Sequence, residues 1–546
     1  DINFQKNKWT IYTNFTGSRS GELMGWIIGV DYPDRNWSLN DTGIYNIDQY
    51  NGTIGIDYAV GKKSSLGISY SGGYREENGN DDVKNYITGR PSGKIDSIIR
   101  SYAVYNPIAI SNSFNLHYLN KFNQKGAQLS IDGDYFNFYR TDYSNFKGWT
   151  QIPGMQEPEG DLMLYYNTAK QNILIYTLKA DLTLPTSFAS WMFGSKLSFI
   201  TNNSNALYYD LQSGSKVYDS SKSNIYGYVE NTQAFYATGT KNMNKWTIQA
   251  GLRAEITKTN GHSYTLNQIH EDHYLKFYPS VAISVEANEQ NSFTGTFSKR
   301  INRPSFWTLN PYRSLLTSFA YYDGNPALKP EYTSQLELGH NYKKLFSTSV
   351  YVNRTNNGFD NLTIGSMDTN LVYRTPLNFL TTTKYGMTEI ISFSPLSWWE
   401  STNQFNLYYT DAKSNLSIVK DLAGWGKYIA TSNNFYFNKD KTFSGAINYW
   451  CQFPEIDHIG RSNTYSSLDL GLMYTTLNKK WNFALNATDI FKNSAPTIYT
   501  TVNGLQQSFD NFQLSRSIVF ALTYKFGSNR KSDNRKSGNE EEKSRL

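Results

Sequence analysis

Apolar and polar residues alternate along this chain with a period of two, from end to end. Near the start Trp9, Ile11 and Phe15 stand opposite Thr10, Asn14 and Thr16. Further on, Trp246, Ile248, Ala250, Leu252, Ala254 and Ile256 oppose Gln249, Arg253 and Glu255, and in the last such stretch Ile518, Phe520, Leu522, Tyr524 and Phe526 oppose Ser517, Thr523 and Lys525. Side chains of a strand point to alternate faces, so each stretch predicts a strand of roughly ten residues with one apolar and one wet face. The segment from Arg300 to Tyr342 shows the unit at its fullest. A Pro- and aromatic-rich connection closes on Gly324, Asn325, Pro326, Pro330 and Glu331, then runs into a strand where Leu336, Leu338 and Tyr342 face one way and Glu337, Gly339 and Asn341 the other.

The connections alternate as well. Gly61 to Ser65, Thr240 to Asn244, Glu286 to Asn291, Asn438 to Lys441 and Leu477 to Lys480 predict hairpin turns rich in Lys, Asn and Gly. Between them fall long connections near 19–46, 75–98, 140–168, 204–223, 258–273, 301–330, 355–370, 411–424, 452–463 and 491–512. Counting between connections gives roughly 20 strands. They show neither the fixed repeat period of a propeller or solenoid nor strands apolar on both faces.

Composition decides which solvent the apolar face meets. Aromatic residues make up 16% of the chain, 43 of them tyrosines, yet the mean hydropathy is −0.56. No run approaches the roughly 20 apolar residues that a spanning helix needs. A membrane barrel needs only alternate residues to be apolar, because its other face lines a wet lumen. Aromatics also gather at strand ends, at Tyr12 and Phe15, Tyr118 and Phe122, Tyr449 and Trp450, and Tyr524 and Phe526, as interfacial girdles do. The prediction is an all-β chain: a transmembrane antiparallel β-barrel of roughly 20–22 strands over residues 1–526 in a bacterial outer membrane, with short periplasmic turns and long extracellular loops. After Phe526 the sequence reads GSNRKSDNRKSGNEEEKSRL, which predicts a disordered, charged periplasmic tail over 527–546.

Charge and chemistry remove function classes. With 52 basic and 46 acidic residues the net charge is +6, too balanced for a nucleic-acid partner. The single cysteine, Cys451, excludes a disulfide framework and a thiolate metal cluster. There is no P-loop, GxSxG elbow or HExxH motif, so neither an enzyme activity nor a cofactor is expected. His270-Glu271-Asp272-His273 is the metal candidate, through His270 and His273, beside the plainer reading of a polar extracellular loop. Aromatics in the long connections, Tyr139, Tyr143, Trp149, Trp307, Tyr312, Tyr321 and Tyr322, offer flat faces to sugars, catecholate rings or peptides, or else pack loop on loop.

Arg303-Pro304, followed by Gly324-Asn325-Pro326-Ala327-Leu328-Lys329-Pro330-Glu331 and the strand through Glu337, resembles the GNPxLKPE loop and strand of TonB-dependent outer-membrane transporters. Asn486-Ala487-Thr488-Asp489-Ile490-Phe491 looks like the NxxD turn before the last hairpin of that family, and Arg516 through Phe526 looks like its closing strand. The form is closest to the outer-membrane β-barrel branch found in Bacteroidetes. The resemblance implies a barrel of about 22 antiparallel strands, normally filled by an N-terminal plug. It implies uptake of a bulky nutrient of the siderophore, glycan or peptide class, energised when the TonB complex pulls on the plug. Implied partners are outer-membrane lipid, the TonB complex and a surface lipoprotein or other outer-membrane protein. Alternation by Trp9 leaves no room ahead of it for a plug or TonB box, so the chain is expected to be the barrel portion of a longer protein. The alternative is a plugless barrel serving as a structural or assembly scaffold. Within the motif, Arg303, Pro304, Gly324, Asn325, Pro326, Leu328, Pro330 and Glu331 are expected to shape the loop, since proline fixes φ and Gly-Asn allows a turn between the prolines.

Overall fold

The computed structural model describes residues 2–155, 159–369, 371–513, 515–526 and 537–546. Among them 28 strands join in one sheet. The alternation read from the sequence builds that sheet inside out. In the strand Val217–Met243, Tyr226, Tyr228, Glu230, Thr232 and Ala234 are buried, whereas Ile225, Val229 and Phe235 are exposed. Apolar residues outside and polar ones within suit a wall between lipid and lumen. Register keeps neighbours in phase, with Glu230 opposite Ile200 on one side and Thr259 on the other. A slip of one residue would turn every polar side chain of the strand outward.

The wall is taller than expected. Trp9–Asp31 and Arg35–Ala59 flank the short turn 32–34, where a loop over 19–46 was expected. Ser64–Gly89 and Ile95–Tyr105 take up most of 75–98, and Gln128–Gln151 and Glu159–Pro185 most of 140–168. Trp246–Ser263 and Gln268–Asn288 do the same for 258–273. The longest strands have 27 residues, where crossing a bilayer takes about 9–11. These connections are hairpins that carry the wall beyond the membrane. Above the lipid the outer face need not be apolar, so the ladder continues without the alternation that reveals it.

The segment 301–330 is different, because it leaves the wall and turns into the barrel. It carries two short strands, Arg313–Thr317 and Ala320–Asp323. At the outer rim Leu505–Gln513 pairs with residues 24–31 and joins the two ends of the sheet. Toward the short turns, among the described residues, Ser517–Tyr524 pairs only with Trp481–Thr488 and Ile2–Lys6 only with Trp9–Asp31. All eight residues of Ser517–Tyr524 are exposed.

The expected disorder of 527–546 does not hold for its end. Residues 527–536 lie outside the described residues, but 537–546 are ordered, with a helical turn at Glu540–Lys543, and they sit against the inner wall. Composition marked the segment as unable to bury apolar surface. What orders it is charge, supplied by residues hundreds of positions away.

Candidate functional site

The chain enters the lumen at Arg303-Pro304, after the strand Asn291–Asn302. Ser305 caps the helical turn Phe306–Leu309, its hydroxyl accepting from the Thr308 N–H at 3.2 Å. The turn drives Phe306 and Leu309 into a cluster with Phe136, Ile173, Ile175, Ile200, Tyr226 and Tyr228 from the wall. Burying two such side chains contributes about 1.5–3 kcal/mol each. Asn310 then donates to Ser204 Oγ at 2.9 Å, and Tyr312 lies buried between Asn167 and Tyr208, whose hydroxyl is 3.0 Å away. Arg313 grips Asp323 with two parallel bonds of 3.0 and 2.9 Å, closing the inner hairpin. Ser101 donates to the Leu316 carbonyl at 2.7 Å, and residues 320–322 pair in parallel with 372–374. The loop therefore bridges strands from distant parts of the ring and floors the lumen.

The motif residues bring the chain back to the wall. A Cβ on Gly324 would lie 1.9 Å from the Asn310 carbonyl oxygen, so only glycine passes there. Asn325 donates from its backbone to Thr308 O at 2.7 Å and from its side chain to Pro376 O at 3.0 Å, while its Oδ1 accepts from the Ala327 N–H. Leu328 is buried with Phe306. Asn378 holds both backbone groups of Lys329, Asn357 donates to the Pro330 carbonyl at 2.8 Å, and Asn302 donates to Glu331 Oε1 at 2.8 Å. The motif is a stapled return.

Above this floor lies an outer vestibule of two adjoining cavities, about 530 and 260 Å³, which share Trp26, Ile28, Asn361, Thr363 and Arg374. Trp307 stacks on Tyr322 with ring centroids 5.9 Å apart, and Tyr321 on Tyr373 at 5.6 Å. The polar side is made by Arg374, Asp360 and His458, with His458 Nδ1 3.4 Å from Asp360. Arg374 Nε is buried without a hydrogen-bond partner among the described residues.

Of the aromatics singled out in the sequence, Trp307, Tyr321 and Tyr322 line this vestibule and Tyr312 is buried beneath it. Tyr139, Tyr143 and Trp149 do not join them. They lie on the strand Gln128–Gln151, on the face opposite Phe136 and Phe146, where Trp149 takes Arg100 and Lys147 against its ring. His270 and His273 also sit on a strand, Gln268–Asn288, and three positions apart they face opposite sides. His270 lines a separate cavity of about 260 Å³ with Arg303, Pro304 and Arg545. Among the described residues no group of three His, Cys, Asp or Glu side chains is placed to hold a metal ion. Sequence reading missed Arg374, Asp360 and His458, which carry no local signal: polar residues on a lumen face are the rule in such a wall.

A family model described as the outer membrane protein beta-barrel family matches residues 120–524. No curated protein is similar in sequence. Among solved structures, the chain resembles a copper transporter, OprC, at 12% identity over 91% of this chain and 81% of that one, with a TM-score of 0.55. It also resembles the ferric-catecholate import receptor Fiu from E. coli K12, at 10% identity over 93% and 82% with a TM-score of 0.53. A third is the ferripyoverdine receptor of the Pseudomonas aeruginosa outer membrane, at 11% identity over 90% and 72% with a TM-score of 0.52. At these identities the likeness is one of fold.

Proposed function

The chain belongs to the outer membrane protein beta-barrel family, and from that premise we propose that it is the barrel of a gated uptake system for a bulky nutrient, energised by TonB through a plug domain. The observation that carries this reading is the vestibule floored by the chain's own inner loop. A loop stapled to several strands across the lumen narrows the passage to what a gated uptake path requires. The three similar structures, a copper transporter and two receptors for iron complexes, favour the same class.

Arg374 suggests what the vestibule holds. Arg374 is part-buried beside Asp360 and its Nε still lacks a hydrogen-bond partner among the described residues, so a ligand acceptor would complete it, and stacked aromatics beside it suit a flat ligand body. Growth of a deletion strain on single iron and carbon sources, with labelled uptake of the source that fails, tests the proposal. Restored wild-type chain should recover uptake only in cells with a working TonB complex. Arg374→Gln should recover less than about a tenth of it, and Asp360→Asn, which removes the same charge pairing from the other side, should recover more. Equal growth on every source, or uptake that persists without TonB, would sink the reading.

A scaffold is the second reading, favoured by the filling of the lumen with the chain's own residues. It predicts normal uptake in the deletion strain together with loss of partner proteins from the outer membrane.

A further inference from the structure

We propose that the lumen wall carries a peptide-binding socket and that its ligand is the chain's own C-terminal segment, residues 537–546. Wall and ligand meet at four places, three of them through matched charges. Glu542 pairs with Lys196 at 2.8 Å, with both side chains buried. Glu541 pairs with Arg303 at 2.9 Å and stands 3.5 Å from Lys196. Arg545 pairs with Glu230 at 2.8 Å and donates from Nε to the Pro304 carbonyl at 3.0 Å. The Gly538 N–H donates to Asp134 Oδ2 at 3.1 Å, an oxygen that Thr177 also bonds.

The fit extends beyond charge. Arg545 lies over the ring of Phe306 with its guanidinium carbon 4.4 Å from the centroid, and its carbonyl accepts from the Phe306 N–H at 3.0 Å. Asn539, Glu542 and Arg545 are all buried. The wall side of the cluster, Lys196, Glu230, Arg253, Glu255 and Arg303, has three cations and two anions, and Glu541, Glu542 and Arg545 bring two anions and one cation. The charges cancel only with the segment seated. Because it bonds Pro304, Phe306 and Arg303 at the start of the inner loop, the segment also clamps that entry against the wall.

The geometry offers a direct test in the full chain. A Cβ on Gly538 would lie 3.7 Å from the Cβ of Lys179, close to the roughly 3.8 Å of a disulfide, once the Asp134 carboxylate, 2.7 Å from that position, turns aside. In nanodiscs under mild oxidation, Gly538→Cys with Lys179→Cys should cross-link, so that the tail fragment released by trypsin after Arg535 or Lys536 stays attached until reduction. Gly538→Cys with Leu178→Cys, whose side chain lies on the outward face, should lose that fragment at once. Equal behaviour of the two pairs would overturn the socket. A second variant leaves the wall untouched: Glu541→Gln with Glu542→Gln should speed native tryptic cleavage after Lys543 at least tenfold, and an unchanged rate would count against the proposal.

Discussion

Two segments fill this lumen, and they are held by different physics. The inner loop is fixed by shape: Phe306 and Leu309 in an apolar cluster, Gly324 against the Asn310 carbonyl, and backbone groups taken up by Asn357 and Asn378. The C-terminal segment is fixed by charge, through Lys196, Glu230 and Arg303, with little apolar surface of its own. Shape-held contacts vary little with salt or pH, while ionic ones respond to both. The comparison separates a durable floor from a releasable occupant within one passage.

The largest expected effect would break the floor alone. Phe306→Ala should destabilise the inner loop by about 3–5 kcal/mol, the usual range for a buried phenylalanine. Hydrogen exchange across 303–330 should rise while the wall strands stay protected; uniform exchange throughout would show that floor and wall unfold together. Gly324→Ala comes next, at about 1–3 kcal/mol for an overpacked site, and should also raise exchange in the 324–331 return. The smallest effect should come from pH and touch only the tail. Burial opposes the charge on Glu541, but Arg303, Lys196 and Arg253 outweigh it and hold its carboxyl below the ordinary range. A carboxyl lowered in the docked state stabilises docking above its free value, about 4.3 for glutamate, and that support is lost as pH falls through the docked value. Tail release by trypsin-independent readouts, such as a fluorophore at Ser544, should therefore begin below about pH 4, with the floor unaffected. A floor that loosens in the same range would erase the distinction.

Where lipid constrained the chain, sequence was enough to read it. Strands such as Trp246–Ser263 must place Leu252 and Ile256 outward and Arg253 and Glu255 inward, and that requirement is written in the order of residues. Beyond the membrane the requirement lapses, which is why Tyr139, Tyr143 and His270 read as loop residues in the sequence although the ladder runs through them. Trp307, Tyr321 and Tyr322 were recognisable because prolines and Gly-Asn mark a segment that leaves the wall. Arg374 and the socket had no such mark. Their meaning depends on partners brought close only by the closure of the sheet.

That dependence orders assembly in time. Gly538 and Asp134 are 404 residues apart, Glu542 and Lys196 346, and Arg545 and Glu230 315. Contacts of such long separation form late, because the intervening chain must be organised before they can be rewarded. Residues 537–546 are thus among the last to find their place, and they find it only on strands already in register. A barrel caught half-built would leave this segment dangling within reach of proteases, and a finished one would hide it.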